Sequence, residues 1–105
     1  MKVDKLVRNN IPSLIVDSGK KCTIRKAKEK ELESYLHHKL CEEVNELLSA
    51  KTKDELMEEI ADVQTVLEEI ASINDIQFKT NDMKIIKKNA KGDFSKHIIL
   101  MEVSD

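Results

Sequence analysis

At 105 residues and 12.0 kDa, the chain holds one hydrophobic core and leaves no room for a second domain, so residues 1–105 are read as one unit. Its 18 Lys and Arg against 20 Asp and Glu give a formal charge of −2 and a pI near 5.9, which argues against direct nucleic-acid binding through a net basic face. One Pro, two Gly and 3% aromatics exclude a turn-rich sandwich or barrel, while 30 Leu, Ile, Val and Phe residues supply an aliphatic core for a mainly α fold.

The chain opens with Lys5-Leu6-Val7-Arg8-Asn9-Asn10-Ile11-Pro12, which reads as an extended segment entering a short helix. Pro12 suits a first helical turn, and Asp17-Ser18-Gly19 ends it. Cys22-Thr23-Ile24-Arg25 alternates weakly and reads as a short strand. From about Lys28 to Ala50 the pattern is helical, with Leu32, Tyr35, Leu36, Leu40, Val44 and Leu47 on one stripe. Thr52 followed by Glu55 is a capping-box signature. A second long helix is expected from about Lys53 to Ser72, with Leu56, Ile60, Val63, Leu67 and Ile70 on its apolar face. The short link makes the two an antiparallel hairpin. A third, shorter helix starts at Asn81 or Asp82 and stops before Gly92. The tail, His97 to Val103, is β-like and is expected to pair with residues 22–25.

No apolar run approaches the ~20 residues of a membrane span, and the first residues lack the apolar stretch of a signal peptide. Cys22 and Cys41 have no zinc-type spacing and read as free thiols of a reducing compartment. A cytoplasmic protein is expected.

The informative residues are the acids of the hairpin: Glu42, Glu43 and Glu46 on one helix, Glu59 and Asp62 on the other. At 100° per residue, Glu43 and Glu46 lie about 40° and 100° from the centre of their apolar stripe. Glu59 and Asp62 have the same offsets, in the same rotational sense, on theirs. In an antiparallel pair such offsets bring the four carboxylates to one side. Glu46 should face Glu59, and Glu43 should face Asp62, because each pair is symmetric about the turn. Glu43 and Glu59 then point partly into the core, with no cation on the stripe to offset them. Crowded carboxylates repel and their pKa values rise; a divalent cation relieves that, and an all-oxygen set selects Mg²⁺, Mn²⁺ or Ca²⁺ over zinc. Di-iron chemistry is disfavoured, since Ser34 and Tyr35 precede His37 and His38 where Glu-x-x-His would need glutamates. Glu42 and Glu58 lie further round, either supporting the ligands from behind or facing solvent.

Glu42-Glu43-x-x-Glu46, twelve residues, then Glu59-x-x-Asp62 resembles the signature of the MazG-like, all-α nucleoside triphosphate pyrophosphohydrolases. The opening Lys5 to Pro12 resembles the KLVRDKIP opening of a small single-domain branch, often labelled phosphoribosyl-ATP pyrophosphohydrolase-like. Lys87 to Phe94 followed by Ile98-Ile99-Leu100 resembles that branch's ending. Asn9-Asn10 stands where the opening has Asp-Lys, and Asp93 where the ending has a second Gly. The resemblance implies hydrolysis of a nucleotide between its α and β phosphates to a monophosphate and pyrophosphate, in a house-cleaning role. It implies Mg²⁺, or Mn²⁺, on Glu43, Glu46, Glu59 and Asp62, with Glu42, or Glu46 where it is not a ligand, accepting the proton of the attacking water. Lys5, Arg8, Lys39, Lys87, Lys88 and Lys91 are the candidate phosphate-binding residues, Arg8 foremost for its bidentate fork. A hairpin with short helices buries little, so a homodimer or homotetramer completing a four-helix bundle is expected. The alternatives are a catalytically silent metal- or nucleotide-binding protein and a helical interaction module whose acids are a solvated face.

Overall fold

Thr52 decides where the central hairpin turns. Its backbone is extended, and its Oγ1 accepts from the backbone N–H of Glu55 at 3.1 Å. The Glu55 carboxylate accepts in return from the N–H of Lys51 at 2.9 Å, so both arms of the box satisfy donors that the helix start leaves free. In the computed structural model, which describes residues 1–104, this turn joins α2 (Glu29–Ser49) to α3 (Lys53–Ile73). Two shorter helices flank the pair, α1 (Ile11–Asp17) and α4 (Lys79–Lys91).

Each remaining boundary has a local cause. Pro12 sits in the first turn of α1, and Gly19, at φ +89°, takes the left-handed conformation just beyond its end. Glu31 reaches back to accept from the N–H of Lys28 at 2.9 Å and closes the start of α2. Asn74 ends α3 and ties it to α2, donating to the carbonyl of Ile70 at 2.9 Å and to Glu33 Oε1 at 3.0 Å. α4 begins two residues before the expected Asn81, because the N–H groups of Lys79 and Thr80 both reach the carbonyl of Ile76. Gly92, at φ +83°, stops it.

Only α2 and α3 pack extensively on each other. The predicted stripe of α2 is the packed one: Leu36 is buried, and Leu32, Tyr35, Leu40, Val44 and Leu47 are half-buried. α3 departs from expectation. Its packed line runs through Glu59, Val63, Val66 and Ile70, at helical spacing, with Val66 and Ala71 fully buried. Leu56, Ile60 and Leu67, expected in the core, are 42%, 43% and 48% exposed. α3 therefore carries two apolar lines, one against α2 and one facing away, where Lys53, Leu56, Met57 and Ile60 line a shallow apolar groove.

The accessible surface is 10038 Å², against about 6,000 Å² for a compact protein of this mass. The radius of gyration is 18.4 Å, where about 13 Å is usual for the length. Among the described residues there is no strand. Residues 22–25 lie exposed, no backbone hydrogen bond joins them to the tail, and Ile98 to Met101 are 77–83% exposed. A two-stranded ribbon is marginal without a surface to cover one of its faces, and both segments lie exposed.

Candidate functional site

The packed lines of α2 and α3 put carboxylates inside the interface near its turn end. Glu43 follows Leu36 by seven residues on α2, and Glu59 precedes Val66 by seven on α3, so each is pulled inward by the apolar side chain two turns away. One carboxylate oxygen from each of Glu43, Glu46 and Glu59 lies within 4.8 Å of the other two. Glu43 is 7% exposed, Glu59 is half-buried and Glu46 is exposed. The expected approach of Glu46 to Glu59 is present in that spacing.

The electrostatics follow from that crowding. Burial, then the charge and close approach of Glu46, and the charges of Asp62 and Glu43 push the Glu59 carboxyl up to about 7. Oε2 of Glu43 and Oε2 of Glu59 are buried without a hydrogen-bond partner. Buried carboxylate oxygens left unpaired are costly, so each of these two is an acceptor that a cation would satisfy.

One cation does reach this interface, although the apolar stripe itself carries none. Lys39 lies one turn before Glu43, with its Nζ 3.3 Å from Glu43 Oε1 and 3.7 Å from Glu42 Oε2, and its side chain is 18% exposed. Spacings of three and four residues on one helix carry the signal for both contacts. Lys39 thus pairs with two of the acids.

Asp62 is not drawn into the triad. Its Oδ1 accepts from Nη2 of Arg8 at 2.7 Å. Lys5 approaches Glu42 Oε1 at 3.4 Å, so Glu42 has an ammonium group at each oxygen. These contacts join residues 37 and 54 apart, and no local pattern announces them. They exist because residues 4–8 lie along the hairpin. The Tyr35 hydroxyl donates to Asp4 Oδ1 at 2.7 Å, and Arg25, paired with Glu31, donates to Tyr35 Oη at 3.2 Å. The Arg25 guanidinium also stands 5.9 Å from the centre of the Tyr35 ring. Donation to Asp4 raises the Tyr35 phenol, and Arg25 lowers the Glu31 carboxyl.

Lys87, Lys88 and Lys91 lie exposed on α4 and form no ion pair with the acidic cluster among the described residues. Asp93, where the resembled ending has a Gly, accepts from the N–H of Ser95 at 3.0 Å and from its hydroxyl at 2.7 Å. It closes a local turn. No helix among the described residues is long and apolar enough to cross a membrane. No family model, curated protein or solved structure matches the chain.

Proposed function

We propose that this chain is a Mg²⁺-dependent nucleotide pyrophosphohydrolase of the MazG-like type, acting in the cytoplasm as an oligomer. The observation that carries the reading is the convergence of Glu43, Glu46 and Glu59 within 4.8 Å, with a buried oxygen of Glu43 and one of Glu59 left without partners. Three carboxylates with two orphaned oxygens fit a hard divalent cation such as Mg²⁺ or Mn²⁺. When bound, such a cation neutralises phosphate charge and makes water a better nucleophile at neutral pH.

The chain's own residues divide the remaining work. Glu46 is the exposed member of the triad, so it meets solvent where a water would attack the α phosphorus. With one of its oxygens in the triad, its other oxygen is the better proton acceptor, since each oxygen of Glu42 already faces a lysine. The bond to the bridging α–β oxygen breaks, and pyrophosphate leaves. Arg8, with its side chain 57% exposed, and Lys5 flank the cluster from one side and supply charge for phosphate oxygens. Lys87, Lys88 and Lys91 reach the phosphates only if α4, of this chain or of a second copy, closes over the hairpin.

Self-association is supported by area. The chain exposes about 4,000 Å² more than a compact protein of its mass, more than the roughly 1,000–2,500 Å² that each partner of an obligate interface commonly removes from water. A second copy covering the outward line of α3 gives a four-helix bundle as homodimer, and a homotetramer repeats the contact.

The test is pyrophosphate release from a panel of NTPs and dNTPs with Mg²⁺, beside Glu43→Gln and Glu59→Gln. Expected is metal-dependent turnover to monophosphate and pyrophosphate that both variants lose. Mg²⁺ that raises the melting temperature of wild type without turnover leaves a metal site that is catalytically silent towards these nucleotides. Silence in both assays assigns the chain to the helical interaction modules.

A further inference from the structure

Asp62 stands beside the carboxylate triad, close enough for its charge to act on Glu59, yet its Oδ1 is taken by Arg8 at 2.7 Å. Glu43, a member of that triad, is 7% exposed and its Oε2 has no partner, so the triad has a buried oxygen open to a cation. Two cations therefore have a claim on one carboxylate: the guanidinium that the chain itself supplies, and the divalent ion of the proposed function, on which this inference rests.

We infer that Arg8 is a built-in competitor for Asp62, which a divalent cation must displace to gain its fourth carboxylate. Arg8 belongs to a segment fixed elsewhere. The Asp4–Tyr35 hydrogen bond and the Lys5–Glu42 pair hold residues 4–5 on the hairpin, so displacement moves the Arg8 side chain without releasing the segment. The pair is exposed, with side chains 57% and 35% accessible, and an exposed pair is weak enough to exchange. Once off Asp62, the fork stays beside the bound ion with its donors free, where a phosphate oxygen is their natural acceptor. Ion and phosphate binding are thereby coupled, because the ion releases the group that binds the phosphate.

The experiment titrates metal-stripped, full-length protein with Mn²⁺ alone, with the bound ion followed by calorimetry and by loss of the free-ion resonance signal. Arg8→Ala should bind Mn²⁺ about two- to fivefold tighter than wild type, the range set by the strength of an exposed pair. In an Asp62→Asn background the same substitution should change nothing, since Arg8 has no carboxylate left to hold. Far-ultraviolet dichroism of each variant establishes that the helices are intact. An Arg8→Ala protein that binds Mn²⁺ no tighter than wild type overturns the inference and leaves the metal site standing. A gain that persists undiminished with Asp62→Asn also overturns it, because loss of positive charge alone then explains the effect. No Mn²⁺ binding by wild type or any variant overturns both the inference and the metal reading beneath it.

Discussion

The Tyr35 hydroxyl donates to Asp4 Oδ1 at 2.7 Å, across 31 residues of sequence. One hydrogen bond, backed by Arg25 on the same hydroxyl, thus sets where Lys5 and Arg8 meet the acids of the hairpin. Tyr35→Phe removes the bond and keeps the ring, which packs with α2's stripe. Its expected cost is about 0.5–1.5 kcal/mol, the usual net worth of such a bond, and the effect should be local. Amide exchange of residues 4–8 should accelerate, while exchange in the middle of α2 and α3 stays as in wild type. Uniform acceleration throughout would mean that the segment folds as part of the hairpin rather than on it.

The raised Glu59 carboxyl gives the metal-free protein a defined pH dependence. An ordinary glutamate loses its proton near 4.5, and Glu59 in the folded chain loses it near 7. Between those values the folded state holds the proton that the unfolded state has released, so stability falls as pH rises. The contribution is fully present below about 4.5 and is lost as pH passes through 7. Urea unfolding in chelator should therefore give a lower midpoint at pH 8 than at pH 5, and Glu59→Gln should flatten that difference. A wild-type midpoint that rises across this range would contradict the crowding described for Glu43, Glu46 and Glu59.

Glu43 makes a trade between stability and binding measurable. Its carboxylate is buried with Lys39 on one oxygen and nothing on the other. In chelator, Glu43→Gln removes a buried charge of the crowded cluster and should raise the melting temperature. Lys39→Met leaves that charge unpaired and should lower it, in the direction known for half-broken buried pairs. Added Mg²⁺ should restore Lys39→Met and leave Glu43→Gln unmoved. Equal responses of the two variants to Mg²⁺ would remove Glu43 from the ligand set.

Thr52 tests the turn that brings the acids together. Thr52→Ala removes the acceptor for the N–H of Glu55 and should cost about 1 kcal/mol, or roughly 4–8 °C in melting temperature for a domain of this size. Scanning calorimetry measures it. A change below 1 °C would mean that Glu55 and solvent satisfy the helix start without the cap.

How far the sequence discloses this structure depends on the range of each interaction. The α2–α3 hairpin, its Thr52 cap and the convergence of Glu43, Glu46 and Glu59 all follow from helical periodicity and a short turn, which act within a few residues. Lys39 is equally local: its spacing of four to Glu43 carries the pairing. A long aliphatic stem lets lysine run along apolar surface before its charge emerges. Arg8 on Asp62 and Tyr35 on Asp4 had no such signal, because each depends on the path of residues 1–10 over the finished hairpin. Leu56, Ile60 and Leu67 were misplaced for another reason. Periodicity reports that a helix has an apolar face and says nothing of whose surface covers it.

That outward face of α3 yields the last prediction. Leu56, Ile60 and Leu67 recur at helical spacing and are 42–48% exposed, and the shallow groove beside Lys53 and Met57 continues the same surface. If a second copy covers it, a charge placed there must be desolvated in the interface, which costs more than an exposed apolar side chain ever gains. Ile60→Asp and Leu67→Asp should each shift the sedimentation coefficient from oligomer to monomer at micromolar concentration and lower the melting temperature. They should do so without altering the α2–α3 contact, since neither residue lies on the packed line through Val63, Val66 and Ile70. Should wild type sediment as a monomer, the same substitutions would leave its sedimentation unchanged and improve its solubility. The about 4,000 Å² of excess surface would then belong to a heterologous partner.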